Sequence, residues 1–98
     1  MHPELTIYIS RIKEIAGFLI EEFEIKSLRI FGSFARGEEK PDSDLDLCVE
    51  MPPKALKIIE LKNLLQNLLG RQIDIIRMRP TLDPFILKEI NRDSIPII

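Results

Sequence analysis

The sequence predicts an α/β (α+β) fold in which a small three-stranded mixed sheet is packed with helices. Three observations carry this reading. Residues 4–24 and 54–69 repeat apolar side chains at three- and four-residue steps, as one face of a helix does. Residues 27–31, 44–50 and 72–78 are short apolar or alternating runs of strand type. A helical segment separates the second run from the third, which makes those two strands parallel with a right-handed crossover.

Taken in order, the stripe of the first helix is Leu5, Ile9, Ile12, Ala16, Leu19, Ile20 and Phe23. Arg11, Lys13, Glu14, Glu21 and Glu22 fall mostly elsewhere, and Pro3 is tolerated at such a start. The first strand, residues 27–31, ends at Gly32. Ser33 is a good N-cap for a brief helical turn that Gly37 closes. Residues 38–43, with Pro41 among them, form a loop. Its brevity favours antiparallel pairing of strands one and two, with Gly32 beside Asp44.

The pair Pro52-Pro53 interrupts the chain after strand two, and Pro53 fits the first turn of the next helix. That helix carries Leu56, Ile59, Leu61, Leu64, Leu65, Leu68 and Leu69 against a polar face of Lys57, Glu60, Lys62 and Gln66, and Gly70 stops it. Strand three follows, with Asp74 at the edge of the sheet that Gly32 and Asp44 share. Residues 83–92 read as a last helix capped by Asp83 with Pro84 in its first turn. Residues 94–98 read as a short apolar tail.

The length of 98 residues allows one small domain, residues 1–98. With 45% hydrophobic and 31% charged residues the composition is that of an ordinary soluble globular chain. The core is thin at this size, so a partner or self-association surface is expected. The net charge of −2 gives no electrostatic footprint for nucleic acid. A local basic cluster, Arg71, Arg77 and Arg79, reads equally as solvated charge or as a phosphate contact. No apolar run approaches the length of a membrane span, and the start lacks the basic and apolar regions of a signal peptide. Cys48 is the only cysteine, which excludes a disulfide framework and fits a reducing, cytoplasmic setting. It reads as a small buried hydrophobe. The single histidine, His2, lies at a terminus and argues against histidine catalysis or a zinc site.

The chemistry concentrates in Gly32-Ser33-Phe34-Ala35-Arg36-Gly37 and Ser43-Asp44-Leu45-Asp46. Residues two apart in a strand share a face, so Asp44 and Asp46 project together and repel unless cations lie between them. Hard oxygen ligands in a tight pair suit Mg²⁺ or Mn²⁺. Asp74 stands between Ile73 and Ile75, and a carboxylate in an apolar strand is normally paired or metal-bound. It reads as a third ligand, with an edge charge against aggregation as the plainer alternative. Asp42 and Asp83 compete less well, the first in a loop and the second as a helix cap. Arg36 can turn toward a phosphate or brace the aspartate loop, and the sequence leaves both open. Ser43 reads as shaping the turn before Asp44, and Phe31 and Phe34 as core.

The signature Gly32-Ser33…Arg36-Gly37…Ser43-Asp44-Leu45-Asp46 resembles that of the DNA polymerase beta-like nucleotidyltransferases. In so short a chain it is similar to the minimal nucleotidyltransferases, the antitoxin half of HEPN–MNT toxin–antitoxin pairs. The resemblance implies a polymerase beta palm-like fold and transfer of a nucleoside monophosphate from a triphosphate with release of pyrophosphate. It also implies ATP as substrate and a HEPN RNase toxin as partner, inactivated by AMP on its tyrosine. On this reading Asp44 and Asp46 bridge two Mg²⁺ or Mn²⁺ ions, and Asp74 completes one site or takes the proton. Gly32 lets phosphates approach, and Ser33 offers its N–H and hydroxyl to them.

Two other classes compete. One is a nucleotidyltransferase acting on a small molecule or nucleic acid, which the missing second domain and weak basic charge disfavour. The other is an antitoxin that neutralises by contact alone, which the complete acid set disfavours. Alternation places Asp44, Asp46 and Cys48 on one face of strand two, and Asp74, Ile76 and Met78 on one face of strand three. If those are the same face of the sheet, with the long helices on the opposite one, this apolar patch is expected to dock the acceptor, unless the last helix or the tail covers it.

Overall fold

The computed structural model describes residues 3–98, and the expectation for His2 falls outside them. The sheet has four strands in the order β3-β2-β1-β4. They are β1 (Ser27–Phe31), β2 (Leu45–Glu50), β3 (Ile73–Arg77) and β4 (Ile95–Pro96). As expected, β1 pairs with β2 antiparallel and β2 with β3 parallel. The helices are α1 (Pro3–Glu14), α2 (Ala16–Phe23), α3 (Gly32–Arg36), α4 (Ala55–Leu69) and α5 (Pro84–Asp93).

Three expectations need correction. The first helix is two, because Ile15 leaves helical geometry at φ −108° and ψ 14°, and the chain bends there. The apolar period runs through the bend, so the sequence gives no sign of it. Pro53 lies ahead of α4, whose N-cap is Lys54. The tail is a fourth strand: β4 pairs antiparallel with β1, and the Ile97 N–H donates to the Leu28 carbonyl at 2.8 Å. A two-residue strand containing proline carries almost no sequence signal, and an edge is where such a strand is tolerated.

The two faces of the sheet are covered unequally. Leu28, Ile30, Leu45, Leu47, Val49 and Ile73 pack with Leu5, Ile12, Leu19, Phe23, Leu61 and Leu65 from α1, α2 and α4. The opposite face holds a smaller cluster in which Phe31, Cys48, Leu82 and Ile90 are buried and Ile76, Met78, Ile86 and Leu87 pack against them. The last helix therefore covers the patch proposed above as a docking face. The amphipathic α5 closes a second small core there, because Cys48 and Phe31 cannot stay exposed without cost. Cys48 is buried as expected, and burial pushes its thiol above the ordinary range. Among the described residues no helix is long and apolar enough to cross a membrane.

Candidate active site

The site is built at one edge of the sheet, where β1 leads into α3 and where β2 and β3 begin. Gly32 has φ +74°, a conformation that side-chain-bearing residues rarely adopt. A Cβ placed there would run into the Asp46 carboxylate oxygen and lie 3.0 Å from its Cγ. The reason is register: Phe31 is level with Asp46 across the antiparallel ladder, so the next residue passes over that side chain. Gly32 thus abuts Asp46, where the sequence reading set it beside Asp44. Gly37, at φ +72°, closes α3 as expected. Ser33 does not cap it, since the N-cap position belongs to Phe31 and Ser33 lies in the first turn.

Asp46 and Asp74 are partners in the parallel ladder, so both project on the same face of neighbouring strands. Asp44 is exposed and stands one residue ahead of β2, Asp74 is exposed on β3, and Asp46 is only partly so. Burial, then repulsion from Asp74, Asp44 and Glu89, pushes the Asp46 carboxyl up to about 6, against a smaller opposing pull from Arg36. A carboxylate so placed is short of positive charge. Among the described residues no three acids converge into a preassembled metal cage. The donor set nevertheless fits a hard divalent ion, because Mg²⁺ takes few protein carboxylates and completes its shell with phosphates and water. Asp44, Asp46 and Asp74 could hold such an ion.

The surrounding residues resolve several open points. Arg36 does not stand free: it pairs with Glu38, at the start of the loop that leads to Asp44, at 3.2 Å and with Glu89 of α5 at 3.3 Å. The end of the loop next to Asp44 is braced by Arg71. Its guanidinium donates to the carbonyls of Ser43 at 2.8 Å and Pro41 at 3.3 Å, to the Tyr8 hydroxyl at 2.8 Å and to Glu4 at 2.9 Å. It also lies over the rings of Tyr8 and Phe34, the latter being part of α3. Ser43 shapes its turn as expected, its hydroxyl accepting from the Lys40 N–H at 2.8 Å. Asp83 is a cap, accepting from the Phe85 N–H at 2.8 Å, and Asp42 is exposed. Glu89 is the acid that the sequence reading missed. Its signal was the spacing of Ile86, Glu89 and Ile90, which puts all three on the face of α5 turned to the sheet.

Residues 12–97 match the family described as nucleotidyltransferase domain. The chain belongs to that family. Dependence on a divalent metal is general among these nucleotidyltransferases. A Thermococcus cleftensis protein named protein adenylyltransferase MntA is 39% identical over 79 residues, covering 79% of each chain. A Methanocaldococcus jannaschii protein, provisionally named a protein adenylyltransferase, is 41% identical over 95 residues, covering 91% of this nucleotidyltransferase and 97% of the relative. A solved structure provisionally described as a minimal nucleotidyltransferase superposes with a TM-score of 0.76 at 33% identity, covering 97% and 96% of the two chains. The crystal structure of a toxin–antitoxin with AMP-PNP shares the fold at a TM-score of 0.70 and 17% identity, covering 88% of this chain and 72% of that one.

Proposed function

We propose that this nucleotidyltransferase moves AMP from ATP onto a tyrosine hydroxyl of a HEPN-type RNase toxin in the cytoplasm, and so acts as its antitoxin. The observation that carries the reading is the placement of Asp46 and Asp74 side by side, with Gly32 pressed against Asp46. That arrangement supplies hard oxygen ligands beside a backbone that no side chain shields from a phosphate. The names of the Thermococcus and Methanocaldococcus relatives support a protein acceptor.

In the proposed reaction the acceptor oxygen attacks the α-phosphorus of ATP. The bond to the bridging oxygen breaks, pyrophosphate leaves and the hydroxyl proton is lost. Asp44 and Asp46, with Asp74, would hold two Mg²⁺ or Mn²⁺ ions, which neutralise phosphate charge and acidify the attacking hydroxyl. Asp74 serves the second position and receives the proton. Ser33 donates its N–H and hydroxyl to phosphate oxygens, and Gly32 keeps the space beside Asp46 free of side-chain bulk. Arg36, held by Glu38 and Glu89, lies close enough to oppose the charge of Asp46 and is the side chain that a triphosphate would draw away from its glutamates.

The test is to incubate the protein with ATP labelled at the α-phosphate and a candidate RNase encoded beside it, then measure intact mass. The expected result is one AMP on a tyrosine of the RNase, absent with Asp44→Ala/Asp46→Ala. Neutralisation that persists in that variant without AMP would favour inhibition by contact.

A further inference from the structure

We propose that the outer edge of β3, with the groove around it, docks an extended segment of the protein acceptor that carries acidic residues a few positions from the hydroxyl to be modified. The inference rests on the protein-acceptor reading above. Its first support is the direction of main-chain hydrogen bonds. β3 ends the sheet. The Leu45 N–H donates to the Gln72 carbonyl at 3.0 Å and the Met78 N–H donates to the Val49 carbonyl at 2.7 Å. Even-numbered residues of β3 therefore turn their main chain toward β2, and odd-numbered residues turn theirs outward. Ile73 confirms the direction, since its N–H is taken by the Gln66 side chain at 3.2 Å rather than by β2. From Ile75 to Arg77 the edge offers donors and acceptors to a further strand. Strand addition at such an edge draws affinity from the main chain and selectivity from the pockets beside it.

The second support is the shape of the groove. A cavity of about 500 Å³ is lined by Ile58 of α4, by the consecutive Ile75 and Ile76 of β3, by Leu82 in the turn before α5, and by Ile86 of α5. Since α4 and α5 cover opposite faces, a space touching both, and touching neighbouring residues of one strand, lies across the edge of the sheet. It can therefore receive side chains from both faces of an added strand.

The third support is charge. Arg77 and Arg79 line the same groove. Among the described residues neither makes an ion pair, and Arg77 reaches only the adjacent Met78 carbonyl at 3.4 Å. Asp83, the acid in the lining, accepts the Phe85 N–H as a cap, and the lining holds two cations against this one anion. At the other end of β3 stands Asp74 with the site acids. A docked segment thus meets cations at one end and anions at the other, which selects acids near Arg77 and Arg79 and an uncharged hydroxyl near Asp74. The separation along β3 is three residues, roughly 10 Å of strand. A residue level with Asp74 shares its face, toward Asp46.

Two labelled hexapeptides test this, Glu-Val-Glu-Val-Val-Tyr and its lysine counterpart Lys-Val-Lys-Val-Val-Tyr, with binding read by anisotropy in the absence of ATP. The acidic peptide is expected to bind wild type about tenfold more tightly, and Arg77→Glu/Arg79→Glu to invert the preference. Methylation of alternate peptide amides should weaken binding to wild type, a readout that does not depend on the variant folding. Equal binding of the two peptides, binding of neither, indifference to amide methylation, or a homodimer dissociated by Arg77→Glu/Arg79→Glu would each overturn the proposal. Peptide binding as expected, with no AMP on any tyrosine once ATP is added, would count against the transfer reading and leave the docking edge standing.

Discussion

Arg71 donates to the Ser43 carbonyl at 2.8 Å, so the residue before Asp44 is fixed by a side chain from the turn between α4 and β3. The same guanidinium reaches Tyr8 and Glu4 of α1 and lies over Phe34 of α3. One side chain thus ties the helix after Gly32, the aspartate loop and the first helix together. The Tyr8 hydroxyl, as the main cause, holds the guanidinium above its ordinary range. A lysine would keep the charge and lose the planar fork.

Arg71→Ala is therefore expected to cost about 2 kcal/mol through unmet carbonyl and hydroxyl partners, lowering Tm by roughly 10 °C. Arg71→Lys should lose less stability yet still slow transfer, because the loop carrying Asp44 is no longer held in two places. Thermal melts together with kcat and KM, measured well below the transition, separate the two effects. Unchanged kcat in a folded Arg71→Lys variant would remove Arg71 from the positioning of the loop.

Asp46 sets the pH dependence of stability. Its folded carboxyl titrates at about 6, above the unfolded value. Between those values the native state binds the extra proton, so this group destabilises the metal-free fold above about pH 6 and the penalty is relieved as pH falls. Asp46→Asn should raise the Tm of the metal-free protein at pH 7 by a few degrees while abolishing transfer, and the gain should vanish near pH 4. Divalent ion should raise the wild-type Tm at pH 7 and do little at pH 5, where protons compete for the carboxylate. Melts across pH, with and without Mg²⁺, decide this.

The pairing of the first three strands, and the face along each strand that carries its aspartates, were legible because period-two alternation and a helical crossover leave little freedom; that Asp46 and Asp74 share one face of the sheet depended on the register of β2 and β3. The closing of α3 by Gly37, the cap at Asp83 and the burial of Cys48 were legible from local chemistry. What was not legible depended on tertiary distance. Arg71 is exposed-looking in sequence, and nothing local says that Tyr8, Ser43 and Pro41 meet it. The sequence left Arg36 open between a phosphate and the aspartate loop, and could not show that α5 brings Glu89 to it beside Glu38. The apolar tail became β4, and α5 covered Cys48, because a small domain uses every remaining apolar segment to close its two faces.

Gly32 has a steric role that substitution can isolate. Gly32→Ala adds a methyl that meets the Asp46 carboxylate in a backbone conformation already unfavourable at φ +74°. Strain there costs about 1–3 kcal/mol, and Asp46 must move to relieve it. The expected outcome is weaker nucleotide binding and slowed transfer alongside the lower Tm, read by calorimetry with ATP and by melts. Wild-type ATP affinity in a destabilised variant would confine Gly32 to the fold.

Asp74→Asn separates chemistry from structure most cleanly. Asp74 is exposed, so the substitution exchanges no buried contact. It also removes the largest of the charge repulsions on Asp46, which brings that carboxyl down and stabilises the metal-free fold slightly. Nucleotide binding should survive, since Asp44, Asp46, Gly32 and Ser33 are intact. Transfer should fall by about 10²–10⁴-fold if Asp74 receives the proton, the usual scale for a positioned general base. Single-turnover rates followed by intact mass measure the loss, and ATP affinity controls for binding. A wild-type rate would leave Asp74 as an edge charge that blunts strand pairing and would move attention to the exposed Asp42.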